Sequence, residues 1–181
     1  MRVDVFLASG FEESEAIIVI DILRRMDYLV NLISISDQKE VLGGHKVKVI
    51  ADYTLDNWDI KGCDALFLPG GGLGVENLSK SQKVLDIVKE CYENGKYIIA
   101  ICAAPMVLEK SGILKDKSVT SYPSVREKLK SIKNYSEDKV VIDKKIITSR
   151  GFGTAIDLGL EIVKIFSSDA DMKKLKESIV Y

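Results

Sequence analysis

Cys102 is the residue of this 181-residue chain that is best placed to act as a nucleophile. It follows the apolar residues 98–101 and precedes two alanines and Pro105, a pattern that predicts a strand, a sharp turn and a helix. In a nucleophile elbow, small residues two positions before and after the nucleophile let the backbone pass closely, and Ala100 and Ala104 stand there. A helix N-terminus also favours the thiolate. The pattern therefore indicates a reactive thiol, with a buried structural cysteine as the alternative.

The other two cysteines lack this setting. Cys63 stands at the front of a predicted strand and is expected to be structural or incidental. Cys91 stands among charged residues in a predicted helix that looks exposed, and we expect it to be incidental. Three cysteines are too few for a disulfide framework, so the default is a cytoplasmic protein with reduced thiols.

A thiol nucleophile needs a base or a charged partner, and three carboxylates open the first predicted helix. Glu12, Glu13 and Glu15 all complement the helix dipole, but Glu12 and Glu15 also share a helix face. A carboxyl that faces a cysteine at a neighbouring strand end would be desolvated, would have a raised pKa and could share a proton with the sulfur. Such a pair titrates as a unit.

His45 is the one histidine of the chain. This count excludes a zinc site with two histidines and the HExxH pattern of metalloproteases. His45 follows Gly43-Gly44 in a predicted hairpin over residues 41–50, where a solvated turn residue is the expectation. A Cys–His dyad is therefore poorly supported, and no metal site is predicted.

The glycine-rich loop over residues 69–74 has a geometric rather than a phosphate-binding pattern. It lacks the Lys-Ser/Thr of a P-loop, and Asn77 stands where a dinucleotide fingerprint needs glycine or alanine. No cofactor is therefore predicted. Glycines let backbone N–H groups approach a reacting centre and stabilise an oxyanion, and a simple tight turn is the alternative.

Apolar strands alternate with helices along the chain, which predicts an α/β fold with a mostly parallel sheet covered on both faces. In such sheets ligands bind beyond the carboxyl ends of the strands. The predicted strands are residues 3–8, 29–35, 64–68, 97–101, 119–122, 140–142 and 146–148, and the predicted helices are residues 12–26, 82–93, a segment from about 103, and 155–166.

Composition limits the partners. Lys+Arg is 26 and Asp+Glu is 27, so the chain lacks the basic balance of a dedicated nucleic-acid binder. The longest apolar stretch, residues 16–20, is far too short to cross a membrane, and no signal peptide is predicted. We expect one cytoplasmic domain over residues 1–181 that binds neither nucleic acid nor membrane.

Several motifs together resemble one known family. The chain is similar to the ThiJ/PfpI superfamily, and within it to the branch of the parkinsonism-associated deglycase (DJ-one). The resemblance rests on GFEESE at residues 10–15, LPGG at 68–71, LGVENL at 73–78, AICAAP at 100–105 and TSRGFGT at 148–154. It implies a flavodoxin-like three-layer sandwich and a homodimer.

The resemblance also implies roles for particular residues. Cys102 becomes the reactive cysteine, Glu15 its carboxyl partner, and Gly71 and Ala103 the donors of backbone N–H groups. Arg150 becomes a structural residue near the site or the dimer contact. The full set of residues expected to line the pocket comprises Gly70, Tyr122, Pro123, Arg150 and His45.

Two departures from the family pattern bear on activity. The protease-like branch has histidine directly after the nucleophile, whereas this chain has Ala103, which disfavours peptidase chemistry. Several members of the deglycase branch have histidine just before the proline that corresponds to Pro123, and here that residue is Tyr122. A phenol is a poor base near neutral pH. His45 falls near a position where some relatives carry arginine at the pocket rim.

Three hypotheses for function follow. The first is cofactor-free chemistry on reactive dicarbonyls such as methylglyoxal, or on their early adducts with protein side chains, in which Cys102 and Glu15 give a 2-hydroxy acid. The second is a redox-sensing or chaperone-like stress protein whose cysteine oxidises to sulfinic acid. The third and least favoured is a cysteine peptidase, which needs a histidine and could recruit only His45.

Overall fold

A seven-stranded sheet forms the centre of the computed structural model, which describes all residues from 1 to 181. The strands are β1 (Arg2–Leu7), β2 (Leu29–Ser34), β3 (Glu40–Leu42), β4 (Lys48–Ile50), β5 (Tyr53–Thr54), β6 (Ala65–Leu68), β7 (Tyr97–Ile101), β8 (Ser118–Val119), β9 (Asn134–Tyr135), β10 (Val140–Asp143) and β11 (Ile146–Ser149). The order in the sheet is β10-β11-β7-β6-β1-β2-β5, and only β10 runs antiparallel to its neighbour. The pairs β3–β4 and β8–β9 lie outside this sheet.

Six α-helices cover the two faces of the sheet. They are α1 (Glu13–Arg24), α2 (Gly72–Lys80), α3 (Gln82–Glu93), α4 (Pro105–Lys110), α5 (Ala155–Phe166) and α6 (Asp169–Ser178), with short 3-10 helices at Pro123–Lys128 and Phe152–Thr154. Helices α1, α5 and α6 pack on one face, and α2, α3 and α4 on the other. The prediction of a three-layer α/β sandwich is confirmed.

The side chains of β1 show why the sheet is buried on both sides. Val3, Val5 and Leu7 belong to the core under α1 and α5, whereas Phe6 belongs to the core under α2, α3 and α4. All four are fully buried. Since successive side chains of a strand point to opposite faces, a strand between two helical layers has to be apolar almost throughout.

Most predicted elements lie where the sequence placed them, including the helix over Gln82–Glu93 and the hairpin formed by β3 and β4. The helix after Cys102 begins only at Pro105, because residues 102–104 form the turn. The strand predicted over residues 119–122 is the short β8, which ends at Val119. Helices α2 and α6 were not delimited from the sequence, since α2 begins inside the glycine-rich loop and α6 is mostly polar.

The prediction that Cys91 lies on an exposed helix was wrong in one respect. Helix α3 is amphipathic, and Cys91 lies on its buried stripe with Val84 and Val88, while the charged neighbours face solvent. Its side chain is fully buried near that of Cys63, which donates to the carbonyl of Ala65. Both thiols are therefore core groups, as small hydrophobes are expected to be.

Parallel strands bring four loops together at one edge of the sheet. The strands β1, β6, β7 and β11 are neighbours, and the segments at 8–12, 69–71, 102–104 and 150–152 follow their carboxyl ends. This is the edge where the sequence predicted a ligand site. None of the helices combines the length and the apolar composition that a membrane span requires.

Candidate active site

Cys102 occupies a strained turn that its neighbours hold in place. Its φ of 64° lies in the left-handed region that residues with a side chain rarely adopt. The Cys102 N–H donates to the carbonyl of Ser149 at 2.9 Å, and its own carbonyl accepts from the Tyr122 N–H at 2.8 Å. Such strain persists only where surrounding bonds enforce it, and it concentrates at functional sites. The elbow predicted from the small flanking residues is therefore present.

Glu15, in the first turn of α1, lies beside the thiol. Its side chain is 1% exposed, and Oε2 accepts the backbone N–H of Gly70 at 2.9 Å. Burial is the main cause that raises the pKa of Glu15 from 4.5 to about 7, and the charge of Glu12 also raises it. Hydrogen bonds with Cys102 and with the backbone of Gly70 and Phe152 lower this pKa but do not outweigh burial. The predicted desolvated carboxyl with a raised pKa is confirmed.

The thiol carries a correction to the sequence prediction. Burial, followed by the charge and hydrogen bond of Glu15, raises the pKa of Cys102 to about 12. The backbone N–H groups of Gly71 and Ala103 lower this pKa, as predicted, but do not outweigh the other two causes. The short helix α4 also begins at Pro105, two residues later than expected. Near neutral pH the Cys102–Glu15 pair therefore exchanges between a form with two protons and a form with one, and a free thiolate beside an ionised carboxylate is disfavoured.

Two glycines make room for this pair. A Cβ on Gly70 would overlap the carboxylate of Glu15 and the Cβ of Cys102. Gly71 has a φ of 92°, and a Cβ there would overlap the carbonyl of Gly10 and the N–H of Glu12. Any side chain at either position would separate the loop from the sulfur, so the glycines let backbone N–H groups approach it.

A cavity of about 1060 Å³ opens over the thiol. Its wall combines apolar groups with carboxylates and lysines. The lining residues are Glu12, Glu15, Gly71, Gly72, Val75, Glu76, Ser79, Lys80, Cys102, Ala103, Met106, Glu109, Lys110, Tyr122, Ser124, Val125, Lys128 and Phe152. The structure thus brings Cys102, Glu15, Gly71, Ala103 and Tyr122 together, as the sequence predicted.

Four residues predicted to line the pocket do not line this cavity. Gly70 lies behind it and directs its N–H to Glu15. Pro123 is exposed and begins a 3-10 helix. Arg150 turns away, because its Nη1 donates to the carbonyl of Glu137 at 2.8 Å. The remaining one, the single histidine, lies on the β3–β4 hairpin outside the cavity.

His45 forms a small charged cluster with two glutamates. Its side chain is 74% exposed, and Nδ1 lies 3.1 Å from Oε2 of Glu13 and 3.6 Å from Oε1 of Glu12. The hydrogen bond to Glu13, followed by the charge of Glu12, raises the pKa of His45. Their three ligand atoms are close enough to approach a metal ion. However, Glu13 already accepts the backbone N–H groups of His45 and Val47, so the arrangement has the form of a surface ion pair.

Sequence reasoning missed Phe152 and the far wall of the cavity. Phe152 follows β11, directs its backbone N–H at Glu15 and exposes 61% of its residue surface at the cavity mouth. Its position just beyond the end of a predicted strand is the sequence signal that could have identified it as a site residue. The far wall comes from α2, α4 and the Pro123–Lys128 helix, and their approach to one another is a tertiary feature with no local sequence signal.

Comparisons with known proteins agree with this geometry. The chain is 36% identical over 176 residues to the DJ-1 homolog B of Arabidopsis thaliana, which covers 96% of this chain. The chain spans only 40% and 41% of the lengths of the Arabidopsis homologs B and A. A Bacillus subtilis protein named as a cysteine protease is 33% identical over 150 residues, which cover 82% of this chain and 88% of that protein.

Solved structures show the same fold. The crystal structure of Drosophila melanogaster DJ-1beta is similar to this chain with a TM-score of 0.95 and 33% identity, and the match covers 99% of this chain and 97% of the other. The model of the DJ-1/PfpI family matches residues 1–165. The agreement of sequence, fold and cysteine elbow establishes that the chain belongs to the DJ-1/PfpI family.

Proposed function

We propose that this protein is a cofactor-free, cysteine-dependent enzyme of carbonyl-stress defence that converts 2-oxoaldehydes such as methylglyoxal to 2-hydroxy acids. One observation carries the proposal: a strained, partly exposed cysteine and a buried carboxyl with a raised pKa lie side by side beneath an open cavity. The same site could accept early adducts of dicarbonyls with protein side chains, since it opens to solvent. Membership of the DJ-1/PfpI family supports a DJ-1-like role in stress response.

The first step is addition of the thiol to the aldehyde. The Cys102 sulfur forms a C–S bond with the aldehyde carbon, the C=O electron pair moves to oxygen, and the thiol proton passes to the Glu15 carboxylate. The N–H groups of Gly71 and Ala103, which are directed at the sulfur, lie where they can donate to the new oxyanion. Glu15 then gives this proton to the oxyanion, which yields a neutral hemithioacetal and restores the Glu15 carboxylate.

The second step moves hydrogen between adjacent carbons. The Glu15 carboxylate removes the proton from the former aldehyde carbon, and the resulting enediol takes a proton at the neighbouring carbon. This gives a 2-hydroxy thioester on Cys102. Water then cleaves the C–S bond and restores the thiol, so that methylglyoxal and one water yield lactate. A carboxyl whose pKa is about 7 suits both directions of proton transfer near neutral pH.

No step of this scheme needs an imidazole, which matches the surroundings of Cys102. Ala103 follows the nucleophile, and His45 is held on an exposed hairpin by Glu13. Tyr122 lines the cavity and supplies a hydroxyl that donates hydrogen bonds but is a poor base near neutral pH. A peptidase mechanism therefore lacks its general base here.

We propose one domain and a homodimer, as the family resemblance implies, and sedimentation at micromolar concentration tests the dimer.

Lactate formation from methylglyoxal tests the proposed activity. The Cys102→Ala variant is expected to form no lactate above the uncatalysed rate, while the matched Cys63→Ala variant retains the activity of its folded fraction. Lactate is measured by NMR under identical protein concentrations. Full activity in Cys102→Ala, or no lactate from the wild-type protein, contradicts the proposal.

Redox sensing is a second candidate function, favoured by the groups around the sulfur. Glu15 and the N–H groups of Gly71 and Ala103 would also donate to the oxygens of a sulfinate on Cys102. Intact mass after mild peroxide treatment is the test. Selective addition of two oxygen atoms at Cys102, together with negligible turnover of methylglyoxal, favours sensing over catalysis. Equal oxidation of Cys63 or Cys91 contradicts it.

A further inference from the structure

The cavity over Cys102 is much larger than methylglyoxal needs. Its volume of about 1060 Å³ is at the upper end of the range that holds drug-sized ligands, whereas methylglyoxal has only three carbons. The cavity therefore has room for a larger group attached to the reactive carbonyl. The inference developed here rests on the proposed function and concerns its substrate class.

Three segments that begin beside Cys102 form the cavity wall. Helix α2 begins at Gly72, the turn before α4 contains Ala103, and the 3-10 helix follows Tyr122. Their lining residues recur every three or four positions, as on one face of a helix. The nine residues of α2 span about 13 Å at about 1.5 Å per residue, so the wall extends well beyond the thiol.

The middle of this wall is apolar. Each segment contributes one apolar side chain there, namely Val75 from α2, Met106 from α4 and Val125 from the 3-10 helix. Val75 and Val125 are 2% and 6% exposed and so form a firm floor. A ligand part lying between the thiol and the far end therefore meets hydrocarbon and is favoured if it is itself apolar.

The far end of the wall carries lysines. Each segment ends in one lysine that lines the cavity, namely Lys80, Lys110 and Lys128. The Lys110 Nζ donates to the carbonyl of Ser79 at 2.7 Å and keeps further N–H bonds to give. Ser79 also lines the cavity, and its buried hydroxyl has no hydrogen-bond partner. The Lys110 ammonium and the Ser79 hydroxyl therefore retain N–H and O–H bonds that no acceptor of the protein takes up.

Two carboxylates also lie at the far end, and both are already bound. Glu76 pairs with Lys80 one helical turn away. Glu109 accepts the N–H groups of Lys130 and Ser131 and the Ser131 hydroxyl, at 3.0, 2.9 and 2.7 Å. Three lysines against two carboxylates leave a positive excess of one charge at this end, whereas Glu12 and Glu15 make the thiol end acidic.

We propose that this groove selects 2-oxoaldehydes whose reactive end is joined by an unbranched apolar chain to a terminal carboxylate. The aldehyde reaches Cys102, the chain lies on Val75, Met106 and Val125, and the carboxylate accepts from Lys110, Lys128 and Ser79. The chemistry is the isomerisation proposed above: the oxoaldehyde and one water give a 2-hydroxy acid, and the distant carboxylate is unchanged. No oxidant or reductant is required.

A charged and an uncharged version of one chain test this inference. The probes are dioxodecanoate, with the oxoaldehyde at one end and the carboxylate at the other, and its methyl ester. We expect kcat/KM to be about tenfold higher for the acid than for the ester, as a hydrogen bond to a charged group provides. In the Lys110→Gln/Lys128→Gln double variant, the ratio of kcat/KM for the acid to kcat/KM for the ester is expected to fall to about one. The Lys133→Gln variant, which lies outside the groove, is expected to keep it.

The possible failures are separable. The groove inference is overturned if kcat/KM is equal for the acid and the ester, or if the double lysine variant leaves their ratio unchanged. In both cases the proposed function stands as long as methylglyoxal is turned over. If no oxoaldehyde is turned over, the proposed function fails, and binding of decanoate to the Cys102→Ala variant by calorimetry still tests the groove. Binding that the double lysine substitution abolishes supports the groove, and binding that it leaves unchanged overturns it.

Discussion

Two buried carboxylates at different ends of the same sheet differ in how well they are satisfied. Asp4 lies within β1, fully buried, and Glu15 lies just beyond the carboxyl end of that strand, 1% exposed. Asp4 contacts the Arg2 guanidinium through both oxygens at 2.9 Å and accepts from Asn31 at 2.8 Å and from Trp58 at 3.0 Å. Each of its oxygens thus has a charged or polar donor.

Glu15 has no cation beside it. It accepts from the backbone and faces a thiol, and burial raises its pKa to about 7. The two cysteines nearest these carboxylates differ in the same way. Cys63 lies in the core, donating to a backbone carbonyl, whereas Cys102 lines an open cavity in a strained turn. Removing one partner of a fully compensated buried charge is costly to the fold, while an incompletely compensated carboxyl is available for proton transfer.

The largest expected effect separates the two carboxylates by activity. Glu15→Gln keeps the shape of the side chain but removes its capacity to exchange a proton, so kcat for methylglyoxal should fall by about 100- to 10,000-fold. Asp4→Asn should leave the kcat of the folded fraction unchanged, because Asp4 does not line the cavity. Steady-state lactate formation measures both. Comparable losses of kcat in the two variants would remove the distinction.

The next-largest expected effect distinguishes Asp4 from Glu15 by its contribution to the free energy of unfolding. Asp4→Asn leaves the Arg2 guanidinium without a full counter-charge and places an amide against the donors of Asn31 and Trp58. Removing one partner of a buried pair costs about 3 kcal/mol of unfolding free energy. Urea unfolding at neutral pH measures this cost, with Asp21→Asn, an exposed partner of Arg25, as the matched control. A change no larger than that of the control would contradict the role assigned to Asp4.

The pH dependence gives a third effect, of opposite sign for folding and for catalysis. Folding raises the pKa of Glu15 from 4.5 to about 7, so the folded protein binds more protons than the unfolded chain in this range. Stability from this group is therefore full below pH 4.5 and is lost as pH rises to about 7, by on the order of 3 kcal/mol at most. Glu15→Gln should accordingly unfold at higher urea than wild type at pH 8, and this advantage should vanish near pH 5.

Catalysis should change in the other direction over the same range. Since the reactive state has lost one of the two protons of the Cys102–Glu15 pair, kcat/KM should rise with an apparent pKa of about 7. The Glu15→Gln variant should lack this rise. A wild-type pH profile that is flat between pH 5 and 9 would show that the pair does not control the rate.

The smallest expected effect concerns the core thiols. Cys91→Ala leaves a void about the size of one sulfur atom in the core under α3, which costs about 1 kcal/mol of unfolding free energy. Because Cys91 lies outside the cavity, kcat should not change. Thermal or urea unfolding and lactate formation measure the two quantities. A large loss of activity in Cys91→Ala would show that the core cysteines are coupled to the site.

The sequence by itself determined the layered α/β fold, the elbow at Cys102 and the carboxyl partner Glu15. Apolar strands read directly from local patterns, and parallel strands bring their carboxyl ends to one edge whatever the details of packing. The family motifs then indicated which glutamate of three faces the sulfur. These features depend on residue type and spacing along short segments.

Tertiary structure alone decided how the protons and charges are distributed. The pKa of Cys102 is raised rather than lowered, because burial and the charge of Glu15 outweigh two backbone N–H groups, and such a balance depends on distances between separate loops. Arg150 and His45 turn to Glu137 and Glu13 instead of lining the cavity. The lysine-ended groove likewise arises only when α2, α4 and the 3-10 helix pack side by side, which no single stretch of sequence encodes.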